Sequence, residues 1–355
     1  MRKILLSVVI MFTFCNLLEA QQAKNWRLAT LHKQTHFEGV IPPGNYSGIT
    51  PLGNDIYAIV SDKSDSALYF NARLVINQQT GELVHAEWLG GRGKTDAKGL
   101  DSEAIAKVSD STVVIATEGN ARLKEWRIAQ DANDGEQTNS SSNLWEWSMN
   151  KSLFYPNYVF ESLAYDSVRH RLWTINESML RNDGKPASPQ NLGNNILRLI
   201  SFPLDDHTAM PITYLYRMDM PTTQKTAQTY AMGVSELCAL PDGQLLVLER
   251  EAFVPKMKIG AFCNCKLYII DPSEATQYPI DKAVGPGAPF VKKRLLTEWR
   301  TKLTLFSQSW ANYEGMCLGP TLDNGDLTII LVSDSQDGYA GVLKDWFTTI
   351  VLTDK

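Results

Sequence analysis

Five stretches of this chain repeat one plan: a polar residue, a short apolar run, a turn, a second apolar run and a closing acid. They read YSGITPLGNDIYAIVSD at 46–62, DSEAIAKVSDSTVVIATEG at 101–119, FESLAYDSVRHRLWTINES at 160–178, VSELCALPDGQLLVLERE at 234–251 and NYEGMCLGPTLDNGDLTIILVSD at 312–334. Such short apolar runs, bounded by Gly, Pro, Asn and Asp clusters, are the pattern of strands and tight turns, and helical periodicity is hard to find. Pro241-Asp242-Gly243 and Asp323-Asn324-Gly325 carry hairpin-turn chemistry.

Each repeat is followed by further strand candidates. They are 68–76 and 83–89, then 123–128 and 144–147, then 196–202 and 212–216, then 266–270 and 290–296. The fifth repeat has only 346–352 after it, one strand short. The missing strand is available at 26–37. The expectation is therefore an all-β chain: a β-propeller of five four-stranded blades, closed by an N-terminal strand, which removes exposed sheet edges. The repeats are spaced by about 55–80 residues, against roughly 40–50 in familiar propeller repeats. The excess is assigned to loops such as 131–142 and 285–289, and a sixth, degenerate blade in the long fourth unit stays open.

In a blade, the start of the first strand and the end of the second lie at the same rim. The starting residues are Ser47, Glu103, Glu161, Glu236 and Glu314; the closing ones are Asp62, Glu118, Glu177, Glu249 or Glu251, and Asp334. Nine carboxylates are expected at one mouth of a central channel. Like charges at that density need compensation. Bound Ca²⁺ would supply it, being a cation that takes six to eight oxygen ligands. The expected ligands are Glu103, Glu161, Glu236, Glu314, Glu118, Glu177, Asp62 and Asp334. Basic side chains would supply it too, among them Arg122, Lys124, Arg169, Arg181 and Arg250. Backbone N–H groups are the third option, each acid capping its own blade.

Other chemistries are weaker. The five histidines show no metal-ligand spacing, and His170 reads as a solvated turn residue. There is no Gly-x-Ser-x-Gly elbow. Gly90-Gly91-Arg92-Gly93-Lys94 lacks the helix that a phosphate loop precedes, and reads as a surface loop. A net charge of −5 without a basic block disfavours nucleic acid. Cys238 and Cys317 sit in apolar runs as buried thiols, Cys263 and Cys265 are too close for an easy bridge, and no chemistry is assigned to any of them.

At the N-terminus Arg2 and Lys3 precede an apolar stretch at 4–14, and Ala20 is a small exit residue. That order is a secretory signal peptide over 1–20, with Cys15 inside the discarded part. The remaining 21–355 are read as one domain of about 335 residues. Nine Trp and thirteen Tyr suit an all-β exported protein with wide packing surfaces. No later stretch is apolar enough for a transmembrane helix. A periplasmic or extracellular monomer is expected.

Phe160-Glu161-Ser162-Leu163-Ala164, Val234-Ser235-Glu236-Leu237, Leu248-Glu249-Arg250-Glu251 and Tyr313-Glu314-Gly315-Met316 resemble signature segments of the phytase-like family. These are secreted proteins whose domain is described by the esterase-like activity of phytase. The resemblance runs from about Tyr46 to the C-terminus and implies a propeller and phosphoric-ester hydrolysis. It supplies no assigned catalytic residue. On the residues themselves, Glu161, Glu314, Glu249 and Arg250 are the catalytic candidates. Arg250, Lys124 and Arg122 are the groups expected to hold a small-molecule phosphate ester or other ester. A non-catalytic binding propeller and a calcium-dependent lactonase are the alternatives; the lactonase rests on fold analogy alone.

Overall fold

The computed structural model describes residues 23–64, 67–93, 101–129, 144–336, 338 and 343–355. The expected signal peptide, the polar loop at 131–142 and Lys94 lie outside these residues. The described chain is built of strands joined by turns and loops, and its only helical elements are two three-residue 3-10 turns, Lys151–Leu153 and Pro272–Glu274. No helix among them is long and apolar enough to cross a membrane.

Among the described residues, twenty strands form five four-stranded antiparallel sheets. The first sheet holds β2 (Tyr46–Gly53), β3 (Ile56–Ser61), β4 (Tyr69–Ile76) and β5 (Leu83–Arg92). The second holds β6 (Ser102–Lys107), β7 (Thr112–Thr117), β8 (Arg122–Arg127) and β9 (Glu146–Ser148). The third holds β10 (Ala164–Asp166), β11 (Arg171–Ile175), β12 (Ile196–Pro203) and β13 (Ile212–Arg217). The fourth holds β14 (Thr229–Ala239), β15 (Leu245–Val254), β16 (Ala261–Ile270) and β17 (Lys293–Leu303). The fifth joins both ends of the chain: β18 (Asn312–Thr321), β19 (Leu327–Asp334) and β20 (Phe347–Thr353) are completed by β1 (Arg27–Leu31).

Each repeated segment supplies the first two strands of one sheet. The turns follow from residues that tolerate positive φ. Asn54 and Asp55 both do so between β2 and β3, as a two-residue hairpin loop requires. Gly243 (φ 82°) and Gly325 (φ 87°) turn the fourth and fifth hairpins. His170 (φ 50°) turns the third, exposed, as read from sequence.

The second strands are buried on both faces. TVVIAT of β7 and LTIILVSD of β19 have no exposed position, so they read as continuous apolar runs, not as an alternation. The reason is that hydrophobic cores lie between successive sheets. Val60 of the first meets Ile105 and Ile115 of the second; Val114 and Leu123 of the second meet Leu172 and Phe202 of the third. Trp173 and Leu199 of the third meet Val234 and Val247 of the fourth. Leu246 and Leu248 of the fourth meet Ile329 and Leu331 of the fifth. Ile330 and Phe347 of the fifth then meet Ile59 and Leu74 of the first. The sheet contacts thus run in cyclic order, and each fully buried large side chain contributes about 1.5–3 kcal/mol. The N-terminal segment adds a polar tie: Trp26 Nε1 and the Lys24 N–H both donate to Asp242 Oδ2 in the fourth hairpin at 2.9 Å.

Three expectations are corrected. The third hairpin is irregular where it enters: β10 begins at Ala164, and only an isolated bridge, Phe160 to Asn176, precedes it. Gly90, Gly91 and Arg92 belong to β5, where Gly90 pairs with Asn71, and are not a loop. The last strand of the fourth sheet starts at Lys293; Phe290 and Val291 instead attach to β13. The length of the fourth unit goes into that return over the third sheet, and no sixth sheet exists among the described residues.

Candidate functional site: an acidic ring around one arginine

A backbone irregularity at the same place in each sheet builds the site. Pairing skips one residue between Tyr46 and Gly48, Ser102 and Ala104, Val234 and Glu236, and Tyr313 and Gly315. In the third sheet it breaks after Phe160 and resumes at Ala164. A bulge re-aims the side chain of the unpaired residue. The residues so presented are Ser47, Glu103, Glu161, Ser235 and Glu314. The partner strands are in equivalent register: Ser61, Thr117, Asn176, Glu249 and Ser333 face the residue before the break. One residue further on lie Asp62, Glu118, Glu177, Arg250 and Asp334.

Two sequence expectations change here. The fourth sheet presents Ser235 where Glu236 was expected, and Arg250 where an acid was expected. The cause is the two-residue period of a strand, which sends Glu249 and Glu251 to the face opposite Arg250. Seven carboxylates, those of Asp62, Glu103, Glu118, Glu161, Glu177, Glu314 and Asp334, then share the ring with one guanidinium.

Arg250 is the hub. Its Nη1 donates to Asn312 Oδ1 at 2.7 Å and Glu314 Oε1 at 2.8 Å; its Nη2 donates to Glu161 Oε2 at 2.8 Å and Glu177 Oε1 at 2.9 Å. The guanidinium therefore ties the third, fourth and fifth sheets together. Gly233 makes this approach possible, because a Cβ there would stand 2.4 Å from Glu177 Cγ.

One cation does not neutralise the ring. Burial, with Glu177 beside it, pushes Glu161 well above the usual carboxylate range. Burial lifts Glu177 to about 7, although Arg250 pulls it down. Glu314 is raised by burial and, despite Arg250, by Asp334 and Glu161. Glu103 is raised by burial and by Glu161, Glu314 and Asp62. Burial likewise raises Glu118 and Asp334. Glu161 Oε2 and Glu177 Oε1 both accept from Arg250 Nη2, so the two carboxyls stand side by side.

Asp62, Asp101 and Glu103 place carboxylate oxygens within 4.8 Å of one another, a donor set of hard oxygens. Asp101 was not among the sequence candidates. Its signal was available, since it opens the second repeat; in the structure it has a positive φ (55°) and its carboxylate lies near those of Glu103 and Asp62. Asn312, also missed, sits where the fifth repeat begins and accepts from Arg250.

The remaining candidates lie elsewhere. Glu236 is buried next to the ring and behaves as a cap: its Oε1 accepts from the N–H groups of Leu163 and Leu237, both at 3.0 Å, and its Oε2 has no partner. Glu249 accepts from the Tyr216 hydroxyl and Lys293 Nζ at 2.6 Å, and from the Asp219 N–H at 3.0 Å. Arg122 pairs with Glu146 at 3.1 Å. Lys124 stands over the Trp126 ring at 4.3 Å. Neither joins the Arg250 cluster. Cys238, Cys263, Cys265 and Cys317 are free and buried, as read for the first and last.

The profile of the Phytase-like family, described as esterase-like activity of phytase, matches residues 41–336. No curated protein matches the chain. Among solved structures, virginiamycin B lyase from Staphylococcus aureus is 12% identical, with 92% of this chain and 100% of that one covered and a TM-score of 0.35. A DUF4221-family protein from Bacteroides vulgatus is 9% identical, covering 93% and 99%, with a TM-score of 0.39. A β-propeller domain from Myceliophteria thermophila is 7% identical, covering 90% and 99%, with a TM-score of 0.33. Similarity this low decides neither fold nor activity.

Proposed function

The chain belongs to the Phytase-like family, and from that premise we propose a cation-dependent hydrolase of phosphate esters or other esters, acting at the acidic ring. The observation that carries this reading is the convergence of Asp62, Asp101 and Glu103 beside a ring with more carboxylates than cations. In the same proposal the five sheets are the blades of a five-bladed propeller closed by β1, and the ring is one mouth of its channel. The cyclic order of the five inter-sheet cores supports that closure. Export by residues 1–20 and a monomeric state belong to the same reading.

The donor set fits a hard divalent cation such as Ca²⁺, because it is all oxygen and holds three carboxylates against the ammonium of Lys63, 3.7 Å from Asp62. Asp62, Asp101 and Glu103 would hold the ion, which supplies charge neutralisation at an ester or phosphate oxygen when bound. The chain's own residues do the rest. Arg250 holds Glu161, Glu177 and Glu314 in fixed positions and keeps them from repelling each other. Burial and Glu177 oppose the ionisation of Glu161, which favours its protonated form and a role as the acid that gives a proton to a departing alkoxide. Ser47 and Ser235 leave the ring open where acids would crowd it. Arg250 is a positioning residue in this reading, since both Nη groups are spent on protein acceptors.

Purified protein should hydrolyse an aryl phosphate or aryl ester with added Ca²⁺, and Asp101→Asn should abolish this while leaving the fold intact. Full turnover in chelator, or undiminished turnover by Asp101→Asn, would sink the reading; turnover of lactones alone would reassign the substrate. One observation favours a non-catalytic binding propeller instead. Both Nη groups of Arg250 donate to protein acceptors, and Glu236 Oε1 accepts from two backbone N–H groups, as in a structural clasp. Calcium-induced stabilisation without turnover of any ester would establish that alternative.

A further inference from the structure

The fourth sheet differs from its neighbours in reach. Arg250 marks the level of the ring, yet β15 runs on to Val254, still paired with Thr229 of β14. The sheet therefore projects about 13 Å beyond the ring at the strand rise of ~3.3 Å per residue. Two loops cap this projection. The turn after β15 carries Met257 (79% exposed) and Ile259 (49%), and the segment after β17 carries Leu305 (75%) and Phe306 (99%). They are adjacent, because the Gly260 N–H donates to the Leu303 carbonyl at 2.8 Å. Large apolar side chains this exposed, gathered at one tip, mark an interaction surface.

The charged side chains of the tip loops have one sign, and Glu251, which accepts from the Thr222 N–H at 3.0 Å, is buried. Segments 222–228, 253–262 and 300–308 contain Lys225, Lys256, Lys258, Arg300 and Lys302 and no acid, in a chain whose net charge is −5. Between the loops lies a cavity of about 370 Å³. Its floor is the stacked pair Phe253 and Phe262, with ring centroids 5.0 Å apart. Arg300 lies over Phe262 at 4.4 Å, and Lys225 and Lys302 line the sides.

We propose that this tip docks the protein on an anionic lipid bilayer, with Met257, Ile259, Leu305 and Phe306 entering the headgroup boundary and the cavity cations meeting lipid phosphates. Apolar side chains at the end of a basic projection bind membranes by these two forces together. A soluble anion would use the cavity but leave the apolar tips in water. An acidic protein partner or a second copy of this chain would cover the tips without needing lipid. The projection stands at the ring end of the sheet, so docking would bring the ring towards the bilayer surface. The inference does not depend on hydrolysis.

The test is co-sedimentation of the full chain with vesicles of phosphatidylcholine, alone or with phosphatidylglycerol. Binding is expected only to the mixed vesicles and should weaken at least tenfold in high salt. A double variant, Leu305→Ser with Phe306→Ser, should lose binding at least tenfold. A second, Lys256→Glu with Lys258→Glu, should do the same. All four positions are loop residues outside the ring, and an unchanged melting curve verifies the fold. No binding to mixed vesicles overturns the proposal, as does binding that both variants retain. Size-exclusion showing a dimer that the serine variant dissolves would assign the tip to a second copy. Inorganic phosphate bound at the cavity without vesicle binding would make it a site for soluble anions.

Discussion

Arg250 and Glu177 occupy equivalent positions in the fourth and third sheets, and Arg250 Nη2 donates to Glu177 Oε1 at 2.9 Å. Each is the residue that follows the last pair before the break in its hairpin. One repeat out of five carries a cation where the others carry acids, and that cation reaches acids of both neighbouring sheets. A ring of five closing acids would repel itself. With one replaced by arginine, three carboxylates share a buried guanidinium, and the ring becomes a tie between sheets.

Arg250→Met should therefore be severely destabilising. It leaves Glu161, Glu177 and Glu314 buried without their cation, a loss of about 3–5 kcal/mol for a broken buried ion pair. Chemical denaturation measures it. Arg250→Lys should recover only part, because an ammonium cannot serve four acceptors in a plane. Near-wild-type stability of the methionine variant would show that the acids are neutral or compensated otherwise.

Glu161→Gln and Glu249→Gln should separate function from structure. Glu249 lies on the opposite face, hydrogen-bonded to Tyr216, Lys293 and the Asp219 N–H. Its replacement should cost about 1.5–3 kcal/mol and leave Ca²⁺-dependent ester turnover of the folded protein intact. Glu161→Gln should abolish turnover. Equal loss of turnover in both, at matched folded fraction, would contradict this division.

Two aspartates should give pH dependences of opposite sign. Burial raises Asp345 to about 7, although the N–H groups of Gly44 and Ser335 donate to it at 3.0 and 3.1 Å. An unfolded aspartate titrates near ~3.9. The folded form holds the extra proton, so this stabilisation is present below about pH 4 and lost as pH rises through about 7. Asp219 goes the other way. Burial raises it, but hydrogen bonds from Lys266, Lys293 and Tyr268 outweigh burial and bring it to about 2. Its contribution is present above about pH 4 and lost as pH falls towards 2. Denaturation of wild type, Asp345→Asn and Asp219→Asn across pH 2–8 should show the first variant gaining on wild type from pH 4 to 7. The second should converge on wild type from pH 4 to 2. Constant differences would refute both.

The thiols of Cys238, Cys263, Cys265 and Cys317 should resist a thiol reagent in the native protein and react only in denaturant. All four are buried, and burial pushes Cys265 and Cys317 well above the usual thiol range. Rapid native labelling of any of them would show that its surroundings open.

Much of the architecture was legible. The five repeats are five hairpins, each starting a four-stranded antiparallel sheet, and the missing strand of the last sheet does come from the N-terminus. Asp-Gly and Asn-Gly turns and unbroken apolar second strands carry this information locally. Membership of the ring was legible except in the fourth sheet. Glu161, Glu177 and Glu314 join Arg250, while Glu236 caps backbone N–H groups and Glu249 turns away. A gap of one residue decides those cases, and because the repeats differ in length at their turns, their sequences alone do not place it.

The sequence by itself determined that this chain makes hairpins in series and that nearly every hairpin begins and ends in an acid. Turn residues and apolar periodicity act over a few neighbours, so they can be read without a structure. Which side chain of each hairpin meets the others was decided only in three dimensions. There a one-residue bulge sets the phase of a two-residue alternation, and three sheets must agree before Arg250 can stand among Glu161, Glu177 and Glu314.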